Sequence, residues 1–282
     1  MKITLGGIRG TGPVAGKQYL EFGGSTTSLL IQGKQGDSIV IDAGTGIREL
    51  GAKLFRGKGT SRSLLLLLTH YHIDHIMGLP SLAALYSKAW RITMAAPLRE
   101  GFSVRQVVSR LLAKPFWPVR LSQLQSAIDF KTLKGSESSS VYQYGGLDVR
   151  WCSVQHPDGC TAYRIDEPAT GRAVVFATDL EWAETSRAGK AAFLRLCREP
   201  APVDLLFFDG QFTDDEYPAF RGWGHSTWQQ AVEVAEQAGA RHLMIIHHAP
   251  NRSDRQLGGL TRQLRKQSSC AEFAVGGTVI GL

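Results

Sequence analysis

Short apolar runs recur along this chain, and several of them stop at a side chain that can bind metal or move a proton. The stretch "SLLLLLTH" holds five consecutive leucines, Leu64 to Leu68, and then turns polar. It is too short for a long helix, so it predicts a buried strand. "LDVRWCSVQH" ends on His156, "RAVVFATD" on Asp179 and "RHLMIIH" on His247. Further strands are predicted at Ile3 to Leu5, "TTSLLIQG", "DSIVIDAGTG", "RITMAAP", "AIDFKTL", "TAYRID" and "VDLLFFDG", with a turn at Gly33 to Gly36. Helical patterns fall on "IRELGAKLF", "LPSLAALYSKAW", "VRQVVSRLLAK", "GKAAFLRLC" and "STWQQAVEVAEQAG", with a last helix before "EFAVGGTVIGL". Pro115 and Pro118 end the third of these. Ser226 or Thr227 caps the start of the fifth, and Gly239 follows its end. Strands dominate both halves with helices between them. That pattern predicts an α/β fold of two packed sheets covered by helices, in the layer order α/β/β/α.

Composition narrows the class. The chain has 282 residues, 43% of them hydrophobic and 20% charged, which suits one large globular fold over 1–282. No apolar run approaches the roughly 20 residues needed to span a bilayer, and "MKITLGGIRGTG" lacks the apolar core of a signal peptide. Cys152, Cys160, Cys197 and Cys270 are irregularly spaced, which reads as buried, inert thiols in a reducing, cytoplasmic setting. The formal charge of +7 favours anionic substrates. The basic stretch Arg252 to Gln267 reads as a solvated helix face, and there is no RNA-binding signature. "KGSESSS", Lys134 to Ser140, is the most linker-like piece, at the end of an insertion-like segment of about residues 102–140. Within that segment Phe116 and Trp117 read as core, with a lid over a small ligand as the alternative.

The candidate chemistry lies in "THYHIDH". His70, His72, Asp74 and His75 fall within six positions at the edge of a rigid strand. Spacing by two lets His70 and His72 reach one side of an extended segment, and Asp74 and His75 follow after a further turn. One short loop can thus serve two neighbouring metals. Imidazole and carboxylate without thiolate suit zinc, manganese or iron. Taken singly, His156, His242 or His247 reads as a satisfied polar residue at an element end. Gly6, Gly7, Gly10 and Gly12 form no phosphate-binding P-loop, because no G-K-[ST] follows; tight turns over the site are the reading adopted.

The pattern H-x-H-x-D-H resembles the signature of the metallo-β-lactamase superfamily, and the resemblance extends over nearly the whole chain. It rests also on "IVIDAGTGIREL" with Asp42, "HPDGCTAYRI" with His156, "FATDLEW" with Asp179 and "IIHHAP". The resemblance implies a four-layer αββα sandwich of two mixed sheets and a dinuclear site holding two divalent ions, zinc first, with manganese or iron as alternatives. It implies that His70, His72 and His156 hold one ion, that Asp74, His75 and His247 hold the other, and that Asp179 bridges them. His248 is the rival for the last position. Asp42 reads either as support for the ligand loop or as a turn-forming residue.

"DLLFFDGQFTDDEY" and "GWGHSTWQQAVEVAEQAG" are similar to the phosphodiesterase branch that includes tRNase Z and the cyclic phosphodiesterases of phosphonate metabolism. By that likeness Asp209 and His225 protonate a leaving group. Asp74 would orient a hydroxide held between the ions. Phe208 departs from the tRNase Z pattern, which has histidine there, and no Gly- and Pro-rich arm for gripping tRNA is present. The expectation is therefore a phosphodiesterase acting on a cyclic nucleotide, a small cyclic phosphate or an RNA end, with no membrane partner and a homodimer admitted. A hydrolase of a thioester, lactone or lactam is the alternative, and a non-catalytic metal-binding sensor stands third.

Overall fold

The computed structural model describes residues 1–56, 62–134 and 141–282. The six strands β1 (Lys2–Gly7), β2 (Ser28–Gln32), β3 (Ser38–Ile41), β4 (Ser63–Leu67), β5 (Arg91–Ala96) and β6 (Ala127–Thr132) lie side by side in chain order. The next seven form a second sheet, again in chain order: β7 (Tyr142–Tyr144), β8 (Leu147–Val154), β9 (Cys160–Glu167), β10 (Arg172–Ala177), β11 (Leu205–Asp209), β12 (His242–Ile246) and β13 (Ala271–Phe273). The last strand, β14 (Val279–Gly281), returns to the first sheet and pairs antiparallel with β1.

Both sheets are mixed and follow one grammar. From β14 to β3 the neighbours are antiparallel, and from β3 to β6 they are parallel. From β7 to β10 they are antiparallel, and from β10 to β13 parallel. A parallel pair needs a crossover, and a longer helix supplies it everywhere except between β4 and β5, where a single helical turn and two 3₁₀ turns do.

The leucine run shows how alternation builds the layers. Leu65 and Leu67 point into the core between the sheets, where they meet residues such as Phe176, Phe207 and Ile246. Leu64, Leu66 and Leu68 point outward, toward α1 (Ile47–Arg56) and α3 (Val104–Leu111). In the second sheet Val174 and Phe176 face inward and Val175 and Ala177 outward. That outer face is covered by α4 (Arg187–Arg198), α5 (Trp228–Ala238) and α6 (Asp254–Gln267). Strands buried on both faces read as continuous apolar runs. The four-layer αββα arrangement is the one the sequence predicts.

Several local expectations change. "LPSLAALYSKAW" is not one helix: it forms two 3₁₀ turns, Leu79–Ser81 and Ala83–Tyr86, separated by Leu82 in an extended conformation. Leu79, Leu82 and Leu85 are all fully buried, and a spacing of three stacks side chains on one side of a 3₁₀ turn. Phe116 is not core but 76% exposed, and Trp117 is only partly buried, because α3 stops at Leu111 and the chain beyond it runs along the surface. Cys270 is exposed, unlike the other three cysteines. Of the linker-like piece, residues 135–140 lie outside the described residues. From Arg255 onward the basic stretch is the solvated face of α6, with Leu257 and Leu264 turned inward, whereas Arg252, ahead of the helix, is buried and pairs with Glu216. Thr227 is the cap of α5, and Gly239 ends it in the left-handed conformation. No described helix is long and apolar enough to cross a membrane.

One buried cation ties α4 to the second sheet. Arg164 on β9 is 1% exposed and pairs with Asp166. It also donates to the carbonyls of Leu196, Cys197 and Ala201 at and beyond the end of α4. The last carbonyls of a helix have no partner within it, so this one side chain satisfies groups that burial would otherwise leave unpaired. Arg164→Met is expected to lower stability by about 3 kcal/mol. Urea unfolding checks it: the midpoint should fall with the slope unchanged, and a midpoint within error of the parent would remove the role assigned to Arg164.

Candidate metal centre

The polar cluster gathers at the C-terminal ends of strands from both sheets, β3, β4, β10 and β12 with a parallel neighbour and β8 without one. Asp42 follows β3, and His70 and His72 follow β4. Asp74 and His75 lie in the single-turn α2 (Ile73–Ile76). His156 comes after β8, Asp179 after β10 and His247 after β12. Asp42, Asp179 and His247 adopt positive φ angles of 61°, 52° and 63°. Such angles are uncommon outside glycine, and three of them at one cluster mark backbone bent sharply to aim side chains.

The structure brings two groups together, each with ligand atoms within 4.8 Å of one another: His70, His72 and His156, and Asp74, His75, Asp179 and His247. Asp179 faces both. Its Oδ1 is 3.8 Å from Nε2 of His70 and 3.8 Å from Nε2 of His156. Its Oδ2 is 3.1 Å from Nε2 of His75 and 3.2 Å from Nε2 of His247. Asp74 Oδ2 lies 3.2 Å from His75 Nε2 and 3.6 Å from His247 Nε2.

Hydrogen bonds behind the rings set which nitrogen faces the cluster. His75 Nδ1 donates to Asp42 Oδ2 at 2.8 Å. His156 Nδ1 donates to the carbonyl of Gly224 at 2.9 Å. Thr69 Oγ1 donates to Asp42, which leaves its oxygen to accept from His70 Nδ1 at 3.0 Å. Each ring therefore presents Nε2 as a lone pair, the arrangement that supports imidazole ligands in metal sites. Asp42 fills both of its expected parts, since it orients the ligand loop and also turns the chain.

These facing atoms test whether a metal fits. Nε2 of His70 and His75 and both ring nitrogens of His247 are buried without a hydrogen-bond partner. Buried polar atoms are rarely left so. Burial raises the Asp179 carboxyl, yet His247, His75 and His70 outweigh it and hold the group well below the usual carboxylate range. Burial also raises Asp74, and the neighbouring imidazoles, His75 first, reverse it. Burial pushes His156 down to about 4, so its imidazole is neutral near pH 7. Ionised carboxylates beside unpartnered imidazole nitrogens make a donor set that fits divalent cations.

His247 and His248 separate cleanly. His247 faces Asp74 and Asp179, whereas His248 turns away and donates from Nε2 to the carbonyl of Ala274 at 2.9 Å. Burial pushes His248 down to about 3. His242 lies away from the cluster and pairs with Glu272 at 3.0 Å.

Asp209 and His225 adjoin the cluster. Asp209, fully buried at the end of β11, accepts from His225 Nδ1 at 2.8 Å. Its other oxygen accepts the backbone N–H of Gln211 and Ser226. One nitrogen of His225 lies within 4.8 Å of ligand atoms of His156 and Asp179, and its ring stacks on His247 with centroids 4.7 Å apart.

Glu181 and Thr11 were not singled out from the sequence. Glu181, buried two positions after Asp179, accepts from the hydroxyl of Tyr217 and the backbone N–H of Gly222 and Gly224, so it holds the loop that leads into His225. Asp74 Oδ2 accepts the N–H of Thr11. Gly10 packs against His247 so closely that a Cβ there would lie 2.3 Å from the ring, which makes the glycine loop a close wall of the site.

The comparisons agree with this geometry. The family model described as a beta-lactamase superfamily domain matches residues 37–248. A ribonuclease Z from Halorubrum lacusprofundi is 23% identical over 264 residues, covering 78% of this chain and 80% of its own length. A metallo-beta-lactamase fold protein, YhfI from Bacillus subtilis, superposes with a TM-score of 0.70 at 19% identity, over 99% of this chain and 98% of that one. A diphosphatase from the PhnP family gives a TM-score of 0.70 at 18% identity, over 99% of this chain and 96% of that one. The matched region runs from β3 to the histidines after β12 and takes in every residue of both groups, so the chain belongs to the beta-lactamase superfamily.

Proposed function

We propose that this metal-dependent hydrolase is a phosphodiesterase acting on a cyclic nucleotide, a small cyclic phosphate or an RNA end. The observation that carries the reading is the Asp209–His225 pair, hydrogen-bonded at 2.8 Å beside the candidate metal centre. Expulsion of an alkoxide from phosphorus needs a proton, and an imidazole held by a carboxylate is suited to give it near neutral pH. A thioester or lactam hydrolase has less need of such a pair, which ranks that alternative second. The printed names of the ribonuclease Z and the diphosphatase, both enzymes of phosphate chemistry, lend support.

In this reading His70, His72 and His156 would hold one divalent ion and Asp74, His75 and His247 the other, with Asp179, whose oxygens face both sets, serving the two. Bound there, the two ions supply a nucleophile from water and neutralise charge on the phosphoryl oxygens. Zinc is the first choice, with manganese or iron also compatible with nitrogen and oxygen donors. Asp74 orients the nucleophile while Thr11 fixes its carboxylate. Asp209 holds Nδ1–H of His225, so that Nε2 of the protonated ring donates to the departing oxygen. Substrate reaches the site as a small anion, which the net positive charge attracts.

Three outcomes are expected. Protein loaded with zinc or manganese should hydrolyse bis(p-nitrophenyl) phosphate, and Asp74→Ala should abolish the turnover; two metals per chain without any turnover would favour carbonyl substrates. His225→Ala should lower kcat by about 10²–10⁴ on a diester that expels an alkoxide and by much less on one that expels p-nitrophenolate, which leaves without a proton. Equal losses on both substrates would remove His225 as the acid. Metal analysis should find one ion fewer per chain in His247→Ala and both retained in His248→Ala; the reverse pattern would overturn the ligand set.

A further inference from the structure

Two clefts open beside the candidate metal centre and share the side chains of Tyr71 and Phe102. The nearer one, about 250 Å³, is lined by His70, His72 and Arg99 and also by two carboxylates, Glu100 and Asp158, the latter 3.5 Å from His72 Nε2. The Arg99 guanidinium donates to Thr161 Oγ1, while its Nε is buried without a partner. The farther cleft, about 530 Å³, adds Met77, Leu111, Phe116 and Trp117.

The walls of the farther cleft are apolar because their polar tips are turned elsewhere. The Tyr71 hydroxyl donates to the carbonyl of Pro97, and Trp117 Nε1 donates to the Tyr86 hydroxyl. The Arg110 guanidinium lies over the Phe102 ring, 4.4 Å from its centroid. Phe116 is 76% exposed and Met77 37%. An exposed apolar concavity that continues into a polar centre is the ordinary form of a small-molecule site. Apart from the Arg110 guanidinium, which lies over the Phe102 ring, the walls offer a nucleobase edge no side-chain partner, which favours a group that has no such edge.

We propose that the two clefts form one binding track for an amphiphilic phosphodiester. Arg99 faces the anionic phosphate next to the metal centre, and the cleft between Tyr71 and Trp117 takes an apolar organic group esterified to phosphorus and not expelled in the reaction. This rests on the phosphodiesterase reading and narrows its substrate class. The segment after Phe102, expected to be an insertion, acts as a specificity wall.

The test compares three diesters with one leaving group, the p-nitrophenyl phosphates of methanol, 2-naphthylmethanol and thymidine (through its 5′ oxygen), on zinc-loaded protein. The naphthylmethyl ester is expected to exceed the methyl ester in kcat/KM by at least about tenfold, or about 1.4 kcal/mol, and to exceed the thymidine ester too. The double variant Phe116→Ser, Met77→Ser, both positions being partly or largely exposed, should narrow the naphthylmethyl-to-methyl ratio to within about threefold. Similar kcat/KM for the naphthylmethyl and methyl esters, or preference for thymidine, overturns the proposal and leaves the phosphodiesterase reading standing. If no diester is turned over, that reading fails, and the cleft is judged by calorimetric binding of 2-naphthylmethyl phosphonate. Binding at least about fivefold weaker in the double variant supports the apolar cleft, and equal binding overturns it.

Discussion

One carboxylate holds the site together. Asp179 is 2% exposed, and its two oxygens face two different sets of imidazoles. An ionised group so deep is costly unless positive charge or hydrogen bonds meet it, and its one hydroxyl partner is its neighbour Thr178. His75, His70 and His156 have their other nitrogens committed to Asp42, Thr69 and Gly224, so these three rings cannot rotate to relieve it. Cations between the carboxylates and the rings would balance the arrangement. A proton on His75 is a partial substitute: burial opposes that charge, but Asp179, Asp42 and Asp74 raise its affinity for the proton well above the usual range.

Such a cluster needs a scaffold that does not yield. Strands buried on both faces supply it, because moving β4 or β10 would disturb two cores at once. The strain appears where those strands end. Non-glycine residues in the left-handed region cost of order 1 kcal/mol each, and Asp42, Asp179 and His247 all sit there. Glycine answers the opposite need, close approach. A Cβ at Gly224 would lie 2.2 Å from His156 Nδ1, so the carbonyl that orients this ring can come near only without a side chain.

Much of this was legible in the sequence, for a definite reason. Alternation and run length reveal buried strands, and a strand-final polar residue is a local signal that survives without knowledge of the fold. His70, His72, Asp74, His75, His156, Asp179 and His247 all carry it or the tight spacing beside it. Glu181, Thr11 and Gly224 carry no such signal, because their parts depend on partners far away along the chain. Leu79, Leu82 and Leu85 misled for a related reason: a spacing of three suits an α-helix and a string of 3₁₀ turns alike, and the packing against α1 decides between them. Phe116 misled because aromatic character alone predicts burial, whereas a cleft wall keeps an aromatic ring exposed.

The division of the site between the sheets has an energetic consequence. The first half of the chain supplies His70, His72, Asp74 and His75 from a single loop, and the second half supplies His156, Asp179 and His247 from three. Neither half holds a full set of donors. A cation gripped by both is therefore a cross-link between the two sheets, at the rim of the core that they share. Its binding free energy would add to the stability of the folded chain, because the unfolded chain cannot gather side chains from such separated positions. Asp179 is where this coupling concentrates: its two oxygens face the two groups, and through His75 it is linked to Asp42 under the opposite sheet.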